Sequence, residues 1–274
     1  MTSSSVGTRS YVVACLQTGA VRVKRGERGV GRYLRDEWSE ETLPVNCFLV
    51  ERPEGLVLFD TGQTAAAAAP GYLPRWHPFL RLARFELRPE DEAAAQLRAL
   101  GYETNDVRTV VLSHLHTDHV GGLEPFAGAE VIVTRVEWER AGGLAGRLRG
   151  YVPQHWPPGL VPRLVDFQGP AVGPFGASHA LSEDGDLLLL PTPGHTPGHA
   201  ALLVRDRGRR LLLAGDLVHA GENLVHAAPE IAAWTRSERV VVLTAHDSDA
   251  ARLIASVAAP DIPRPHPRLE KDSL

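Results

Sequence analysis

The sequence lacks the features that indicate a membrane, secreted or nucleic-acid-binding protein. It has no apolar run that approaches the length of a membrane span. Its first residues show no basic stretch followed by an apolar one, which a secretory signal would require. The formal net charge is −4, whereas binding to phosphates needs a basic surface. We therefore expect a cytoplasmic protein that binds neither a membrane nor nucleic acid.

Cysteine is also scarce. Cys15 and Cys47 are the two cysteines of the chain, and they lie in separate apolar segments. The sequence allows a disulfide between them, but buried free thiols fit a cytoplasmic protein better. Neither residue stands at a metal-ligand spacing from another ligand, so a metal site in this chain has to use nitrogen and oxygen.

The remaining composition is that of an ordinary globular protein. Hydrophobic residues make up 43% and charged residues 23% of the 274 positions, which is enough to bury a full core. No shift in composition marks a domain boundary, so we predict a single domain over residues 1–274. Residues 1–9 and 260–274 are polar or rich in proline, and we predict that they form flexible tails.

Short apolar runs between turn residues predict a protein dominated by strands. The predicted strands cover residues 11–15, 21–23, 46–50, 56–59, 109–112, 129–134, 163–167, 186–190, 200–205, 210–214 and 240–244. Helical spacing predicts helices at 90–100 and from 137 to 141, whereas 63–89 and 142–162 are predicted to be largely irregular. Strands with helices between them in each half favour two packed sheets that are covered by helices.

The most informative motif, Ser-His-Leu-His-Thr-Asp-His, occupies residues 113–119 directly after an apolar run. Such a run is typical of a buried strand. Because side chains two apart in an extended chain face the same way, His114 and His116 can approach one ion together. Asp118 and His119 follow where the chain must turn, and they can face a second ion. Imidazole nitrogen and carboxylate oxygen suit zinc and related metals, so the motif predicts metal binding.

Three later segments repeat one local pattern, in which a buried strand stops just before a candidate ligand. The ligands are His195, Asp216 and His246. Because the ends of neighbouring strands lie close together, we expect these residues to meet the histidine motif at one edge. His199, which follows His195 closely, either touches a metal or braces its loop.

These motifs, together with the turn Asp60-Thr61-Gly62, resemble the metallo-β-lactamase-fold hydrolases over roughly residues 10–255. The resemblance implies an α/β (α+β) fold, an αββα sandwich of two mixed β-sheets flanked by helices. It also implies two metal ions in a groove at the sandwich edge. The implied ligands are His114, His116 and His195 for the first ion, Asp118, His119 and His246 for the second, and Asp216 as the bridge.

The implied chemistry is hydrolysis at a pair of divalent metal ions. Zinc is the first choice for both ions, with iron, manganese and cobalt as alternatives. A hydroxide that bridges the ions would attack a carbonyl carbon. Asp118 would pass a proton to the leaving oxygen as a catalytic residue. Asp60 is expected to orient a ligand imidazole through a hydrogen bond rather than to bind a metal itself.

Within that family, the segments 43–50, 60–62, 194–199 and 216–223 are similar to N-acyl-homoserine lactonases. The similarity implies a quorum-quenching lactonase that takes a small-molecule lactone or a similar ester. Those enzymes use a tyrosine, three residues after the bridging aspartate, to polarise the lactone carbonyl. This chain has His219 there.

The role of His219 is open at the level of sequence. Its N–H could donate to an oxyanion in place of the tyrosine, which would make it catalytic. Alternatively, it marks a different substrate or is an ordinary groove residue, and Tyr151 or Tyr72 replaces the tyrosine. Apolar side chains of the two irregular segments would line a trough for an acyl chain, or else cover the core or the interface of a homodimer. They are Trp76, Phe79, Leu80, Trp156 and Leu160.

Four other functions remain open on the same motifs. A thioesterase of the glyoxalase II kind would use the same ligand set. An oxygenase with one iron ion, like the persulfide dioxygenases, would share the scaffold. A non-catalytic binding protein is disfavoured because every ligand position is filled, and RNA processing is disfavoured by the acidic charge balance. Phosphotriesters are further substrates that the same hydroxide could attack.

Overall fold

Two β-sheets form the centre of the fold. The structure is a computed structural model that describes residues 11–24, 38–52, 54–73, 83–206, 208–218 and 223–257. The strands in these ranges are β1 (Val12–Val23), β2 (Leu43–Arg52), β3 (Gly55–Phe59), β4 (Ala83–Glu86), β5 (Val107–Val111), β6 (Glu130–Thr134), β7 (Arg163–Val165), β8 (His179–Ala180), β9 (Leu187–Pro191), β10 (Ala200–Asp206), β11 (Arg209–Leu213) and β12 (Val240–Leu243).

Both sheets are mixed. The first has the order β4-β1-β2-β3-β5-β6-β7, antiparallel from β4 to β3 and parallel from β3 to β7. The second has the order β12-β11-β10-β9-β8, in which β11 and β12 are parallel and the other pairs are antiparallel. The predicted strands 46–50 and 56–59 are therefore present as β2 and β3, which form an antiparallel hairpin.

Helices connect the strands. The α-helices of the described ranges are α1 (Ala93–Ala99), α2 (Thr117–Val120), α3 (Arg135–Ala141), α4 (Gly143–Leu148), α5 (Leu224–Ala227), α6 (Pro229–Ser237) and α7 (Ala250–Val257). Short 3-10 helices occur at Ala65–Ala68, Pro89–Asp91, Thr104–Asp106, Glu124–Phe126 and Pro153–His155. None of the helices in these ranges is long and apolar enough to cross a lipid bilayer.

Continuous apolar runs form strands that are buried on both faces. In β9, Leu187 and Leu189 face the first sheet, whereas Leu188 and Leu190 face outward into a second apolar layer. Because side chains alternate along a strand, a strand without alternating polarity has to be covered on both sides. The unbroken leucine run of β9 therefore already indicates a central strand.

Three apolar layers stack across the molecule. One lies between α1 and the first sheet, the second between the sheets, and the third between the second sheet and α6, where Trp234 contributes its ring. Helix α7 packs mainly against β1 and closes one side of the sandwich. The αββα sandwich with two mixed sheets is thus confirmed.

Several local predictions differ from the structure. The two runs 11–15 and 21–23 form one strand, because β1 continues its pairing with β2 past an irregularity at Gly19, which has a φ of 81°. The predicted helix at 90–100 begins as a 3-10 helix and changes to α1 at Glu92, whose backbone is extended. Segment 142–162 contains α4 and a 3-10 helix, and segment 63–89 contains β4.

Other predictions of local structure are confirmed or lie outside the described ranges. Cys15 and Cys47 are free thiols, as expected. Burial raises the pKa of Cys15 to about 11, which keeps it protonated at neutral pH. The tails predicted at 1–9 and 260–274 lie outside the described residues, and the single domain remains a prediction.

Candidate metal centre

Strands of both sheets end at one edge of the sandwich, and the candidate ligands follow those ends. His114 lies shortly after β5, His195 after β9, Asp216 after β11 and His246 after β12. Their ligand atoms form three groups in which all atoms lie within 4.8 Å of one another. The groups are His114, His116 and His195, then His114, His119 and Asp216, and finally Asp118, His119 and His246.

Three imidazoles converge in the first group. His114 Nε2 lies 3.1 Å from His116 Nδ1, which in turn lies 2.9 Å from His195 Nε2. Imidazole nitrogens at these distances repel one another through their lone pairs unless a proton or a cation lies between them. The arrangement therefore suits a cation that accepts three nitrogen ligands.

Two imidazoles and a carboxylate surround a second position beside the first. His119 Nε2 and His246 Nε2 lie 4.0 and 3.8 Å from Asp118 Oδ2. The same two nitrogens lie 3.2 and 3.5 Å from Oδ1 of Asp216. The side chains of His119, His246 and Asp118 are largely buried, so few water molecules can reach them.

Asp216 lies between the two positions. Its Oδ1 faces His119 and His246, whereas its Oδ2 lies 3.4 Å from His195 Nε2 in the first group. Each carboxylate oxygen is therefore directed at a different group. This is the arrangement that a bridging ligand needs.

Two buried atoms at the centre show that the donor set fits a metal. Within the described part of the chain, His119 Nε2 and Asp216 Oδ1 have no hydrogen-bond partner of normal geometry, although they are 3.2 Å apart. Leaving a buried polar atom unsatisfied costs about 1–3 kcal/mol. Imidazole nitrogen and carboxylate oxygen are ligands that zinc and similar divalent ions accept, so such an ion would satisfy both.

The surroundings shift the pKa of His114, in the first group, and of His246, in the second, in opposite directions. Burial, together with His119 and the other nearby imidazoles, holds the pKa of His114 well below its usual range. Burial also acts to lower the pKa of His246, but Asp216 and Asp118 outweigh it and raise that pKa to about 9. His114 is thus neutral and able to bind a metal, whereas His246 carries a proton that a divalent cation would displace.

The family model of the metallo-beta-lactamase superfamily matches residues 41–259, a range that contains every candidate ligand. The chain belongs to the metallo-beta-lactamase superfamily. This assignment agrees with the αββα sandwich and with the position of the metal-binding groups at its edge.

Relatives within the superfamily include named metallo-hydrolases and lactonases. A probable metallo-hydrolase of Mycobacterium tuberculosis is 39% identical over 186 residues, which cover 65% of this chain and 56% of that protein. The chain therefore spans little more than half the length of this relative. The N-acyl homoserine lactonase AttM of Rhizobium radiobacter is 30% identical over 230 residues, with 76% of this chain and 83% of that protein covered.

A solved structure shows the same superfamily fold. It is an N-acyl homoserine lactone hydrolase with the product N-hexanoyl-L-homoserine bound at its catalytic metal centre. The TM-score is 0.66 at 22% identity, and the alignment covers 88% of this chain and 95% of the other. At this identity the likeness concerns the fold alone.

Side chains behind the motif at residues 113–119 select the tautomer of two imidazoles. Asp60 accepts hydrogen bonds from the backbone N–H of Ser113 at 2.7 Å, from its hydroxyl at 2.8 Å and from His119 Nδ1 at 2.8 Å. The Ser113 oxygen lies 2.9 Å from His114 Nδ1 and can accept its proton. Both imidazoles therefore present Nε2 to the centre, and Asp60 orients an imidazole as the sequence predicts.

Backbone carbonyls orient two further imidazoles. His246 Nδ1 lies 2.7 Å from the carbonyl oxygen of Pro44, which leaves Nε2 for the second group. His116 has the opposite orientation, because its Nε2 lies 3.0 Å from the carbonyl oxygen of Arg149 and its Nδ1 faces the first group. In each case the second ring nitrogen has an acceptor, so the ring is fixed in place.

His199 braces the loop that carries Asp216. Its Nε2 accepts a hydrogen bond from the backbone N–H of Asp216 at 3.0 Å, and its Nδ1 lies 2.8 Å from the hydroxyl of Thr192. Burial lowers the pKa of His199 to about 4, so the ring stays neutral and can accept that bond. Of the two roles that the sequence left open for His199, the structure shows the brace.

Asp60 also explains the sharp turn after β3. Its φ is 59°, a left-handed conformation that aspartate and asparagine tolerate better than most other residues. The side chain is buried with only 2% of its surface exposed, so its hydrogen bonds replace those with water. The turn thus places a carboxylate directly under the histidine motif.

We expect Asp60→Asn to lower the free energy of unfolding by about 1–3 kcal/mol, because one of the donors would face the new amide N–H₂. The backbone should be unaffected, since asparagine tolerates the positive φ. Urea unfolding of the metal-free protein measures the change. Asp249→Asn, the same change in an exposed carboxylate that pairs with Arg252, is the matched control and should leave the free energy of unfolding nearly unchanged. Equal stability of Asp60→Asn and the parent would contradict this role.

Two predicted substitutes for the lactonase tyrosine have other contacts. Tyr151 is completely buried, and its ring packs against that of His116 with centroids 5.1 Å apart. It cannot contact a substrate in this packing. The rings of Tyr72 and His155 are tilted by 31° with centroids 3.8 Å apart, and the Tyr72 hydroxyl donates to Gln63 Oε1 at 3.3 Å. His219 itself lies outside the described residues.

The predicted acyl trough is described only in part. Trp76, Phe79 and Leu80 lie outside the described residues. Trp156 stacks on Trp138 at 5.1 Å and, like Leu160, packs against the core on the helix side of the first sheet. Trp156 and Leu160 therefore cover the core, which is one of the alternatives that the sequence left open for them.

Two polar residues that support the centre were missed at the level of sequence. Ser113 orients His114 and could have been found from its place directly before the first histidine. Glu137 is completely buried beneath the loops of His116 and His195. Its only local signal is the pattern Thr134-x-x-Glu137, which is typical of the first turn of a helix and indicates no role at a metal centre.

Proposed function

We propose that the chain is a dinuclear metal-dependent hydrolase that opens a lactone or a similar ester of the N-acyl-homoserine lactone type. The observation that carries the dinuclear reading is Asp216, whose two oxygens face two different groups of imidazoles. The lactone class is supported by relatives such as AttM, which are named N-acyl homoserine lactonases. Opening such a lactone would remove a quorum-sensing signal. A cytoplasmic location and a homodimer remain predictions.

The residues present indicate how the two ions would be held. His114, His116 and His195 would bind the first, and Asp118, His119 and His246 the second, with Asp216 shared between them. Zinc suits this set of nitrogen and oxygen ligands. A bound pair of divalent ions supplies Lewis-acid polarisation of a carbonyl and lowers the pKa of a coordinated water from 15.7 to about 7.

Asp118 is placed to move the proton of the reaction. Ester hydrolysis forms a bond from the water oxygen to the carbonyl carbon and breaks the single C–O bond to the alkoxide, so one proton of the water has to reach the leaving alkoxide oxygen. The Asp118 carboxylate lies at the second group, 3.8 Å from His246, and its side chain is 10% exposed. It can therefore take the proton from the attacking water and deliver it to the leaving oxygen.

Metal analysis of the purified protein, followed by a pH-drop assay with lactones of different acyl length, tests the proposal. We expect two zinc-like ions per chain and the release of one proton per lactone opened. One iron per chain with oxygen consumption would instead indicate a dioxygenase. Turnover of an S-acylglutathione but not of any lactone would indicate a thioesterase. Either result would refute the lactonase proposal.

His219→Tyr tests the proposed role of position 219. If the imidazole N–H polarises the lactone carbonyl, tyrosine should preserve or raise kcat for lactones, because its hydroxyl can donate the same hydrogen bond. His219→Phe removes the donor at similar size, and we expect it to lower kcat about 10²- to 10³-fold. Initial rates of lactone opening measure both effects. Equal rates for the two variants would show that position 219 does not contact the oxyanion.

A further inference from the structure

Glu137 lies in the first turn of α3 and is completely buried. A buried carboxylate is costly unless several donors compensate its charge. Among the described residues, Glu137 has three such donors, and none of these three belongs to α3. They come from two loops at the sandwich edge. The residue therefore joins separate segments rather than stabilising its own helix.

The two carboxylate oxygens contact different loops. Oε1 accepts a hydrogen bond from the backbone N–H of Leu115 at 3.0 Å. Oε2 accepts one from the Thr196 hydroxyl at 2.7 Å and one from the backbone N–H of Gly198 at 3.1 Å. One side chain thus holds a loop after β5 and a loop after β9 at a set distance.

Both loops carry ligands of the first group. Leu115 stands between His114 and His116, and Thr196 directly follows His195. Two of the three bonds to Glu137, those from Leu115 and Thr196, therefore start within one residue of the imidazoles that converge there. A change in the separation of these loops moves His195 relative to the other two histidines.

The surrounding packing leaves little freedom to the Glu137 carboxylate. A methyl group at Gly198 would overlap the backbone of Glu137, so the loop after β9 lies directly against the start of α3. Thr134 reinforces the contact, because its hydroxyl donates to the Gly198 carbonyl oxygen at 2.6 Å and accepts from the Glu137 N–H at 3.2 Å. The Thr134 hydroxyl therefore links the start of α3 to the loop after β9.

We propose that Glu137 is a positioning residue for the first metal-binding group. It sets the distance between the His114–His116 segment and His195, so that three imidazole nitrogens are already arranged for one ion. This role rests on the proposed function, because it requires a metal at that group. The second group is held by other contacts, namely those of Asp60 and Pro44. The two groups should therefore respond differently to a change at position 137.

The test measures Co²⁺ affinity of each group separately, by titrating metal-free protein and following the visible absorption of the bound ion. His246→Ala leaves the first group complete, and His116→Ala leaves the second. In the His246→Ala background, Glu137→Gln should lower Co²⁺ affinity about 10- to 100-fold, because the amide has one oxygen and its N–H₂ would face the donors of one of the two loops. In the His116→Ala background, the change should stay below about threefold.

A second variant tests the same contact in case Glu137→Gln does not fold. Thr196→Val removes one of the three donors at nearly constant volume, and we expect a loss of about three- to tenfold at the first group. Thr196→Ser keeps the hydroxyl and should restore the parent affinity. Unfolding midpoints of the metal-free variants show whether each one is folded.

The outcomes separate this role from the proposed function. Unchanged affinity of the first group in both Glu137→Gln and Thr196→Val would overturn the role of Glu137. Equal losses at both groups would also overturn it, because they would indicate a general structural effect. If the parent backgrounds bind no Co²⁺, the proposed metal centre fails and the role of Glu137 fails with it. None of these measurements depends on lactone turnover.

Discussion

Asp216→Asn is expected to lower kcat/KM for lactone opening at least about 10³-fold, since it impairs both metal positions at once. An amide has one oxygen, so its N–H₂ would face either His195 or the pair His119 and His246. The amide therefore cannot bind two cations through two oxygens, as a carboxylate does. The volume is unchanged, so we expect the fold to be retained.

Metal content and activity should fall together in Asp216→Asn. We expect elemental analysis to show fewer than two ions per chain, while circular dichroism remains that of the parent. Asp249→Asn is the matched control, because it makes the same change in an exposed carboxylate that pairs with Arg252 at 3.0 Å. Exposed pairs of this kind contribute little, so the control should keep both ions and full activity. Two bound ions and parental kcat/KM in Asp216→Asn would show that this residue does not bridge.

Asp118→Asn is expected to lower kcat for lactones about 10²- to 10⁴-fold, the range for loss of a general acid–base. The amide cannot take up the proton that has to reach the leaving alkoxide. KM should change less than kcat, because the affected interaction belongs to the transition state rather than to substrate binding. Initial rates over a range of lactone concentrations separate the two constants.

The leaving group distinguishes proton transfer from metal binding in Asp118→Asn. An aryl ester releases a phenolate that needs no proton, so its hydrolysis should be affected much less than lactone opening. If Asp118 acts only as a ligand, both substrates should lose activity equally. Equal losses, together with a reduced metal content, would therefore contradict the role of Asp118 in proton transfer.

Much of the fold could be predicted from local sequence. The runs of β2, β3, β5, β6 and β9 to β12 are apolar and end at turn residues, and all of them are strands. Helices α5, α6 and α7 were not predicted. Helix α5 has only four residues and α6 begins without a side-chain cap, so local signals for these two are incomplete. In α7, by contrast, Ala250, Leu253, Ile254 and Val257 recur at helical spacing, so this helix could have been found from the sequence. The three helices form where they pack on the sheets or on each other.

The sequence alone determined the candidate ligands and their order, from His114 to His246, because a ligand following a buried strand is a local pattern. Only the tertiary structure decided how these residues meet. It sets which nitrogen His116 presents and directs the two oxygens of Asp216 to different groups. It also buries Glu137 under both histidine loops. The physical reason is that tautomers, side-chain directions and buried hydrogen bonds depend on partners distant in sequence, such as the Pro44 carbonyl that orients His246 across 202 positions.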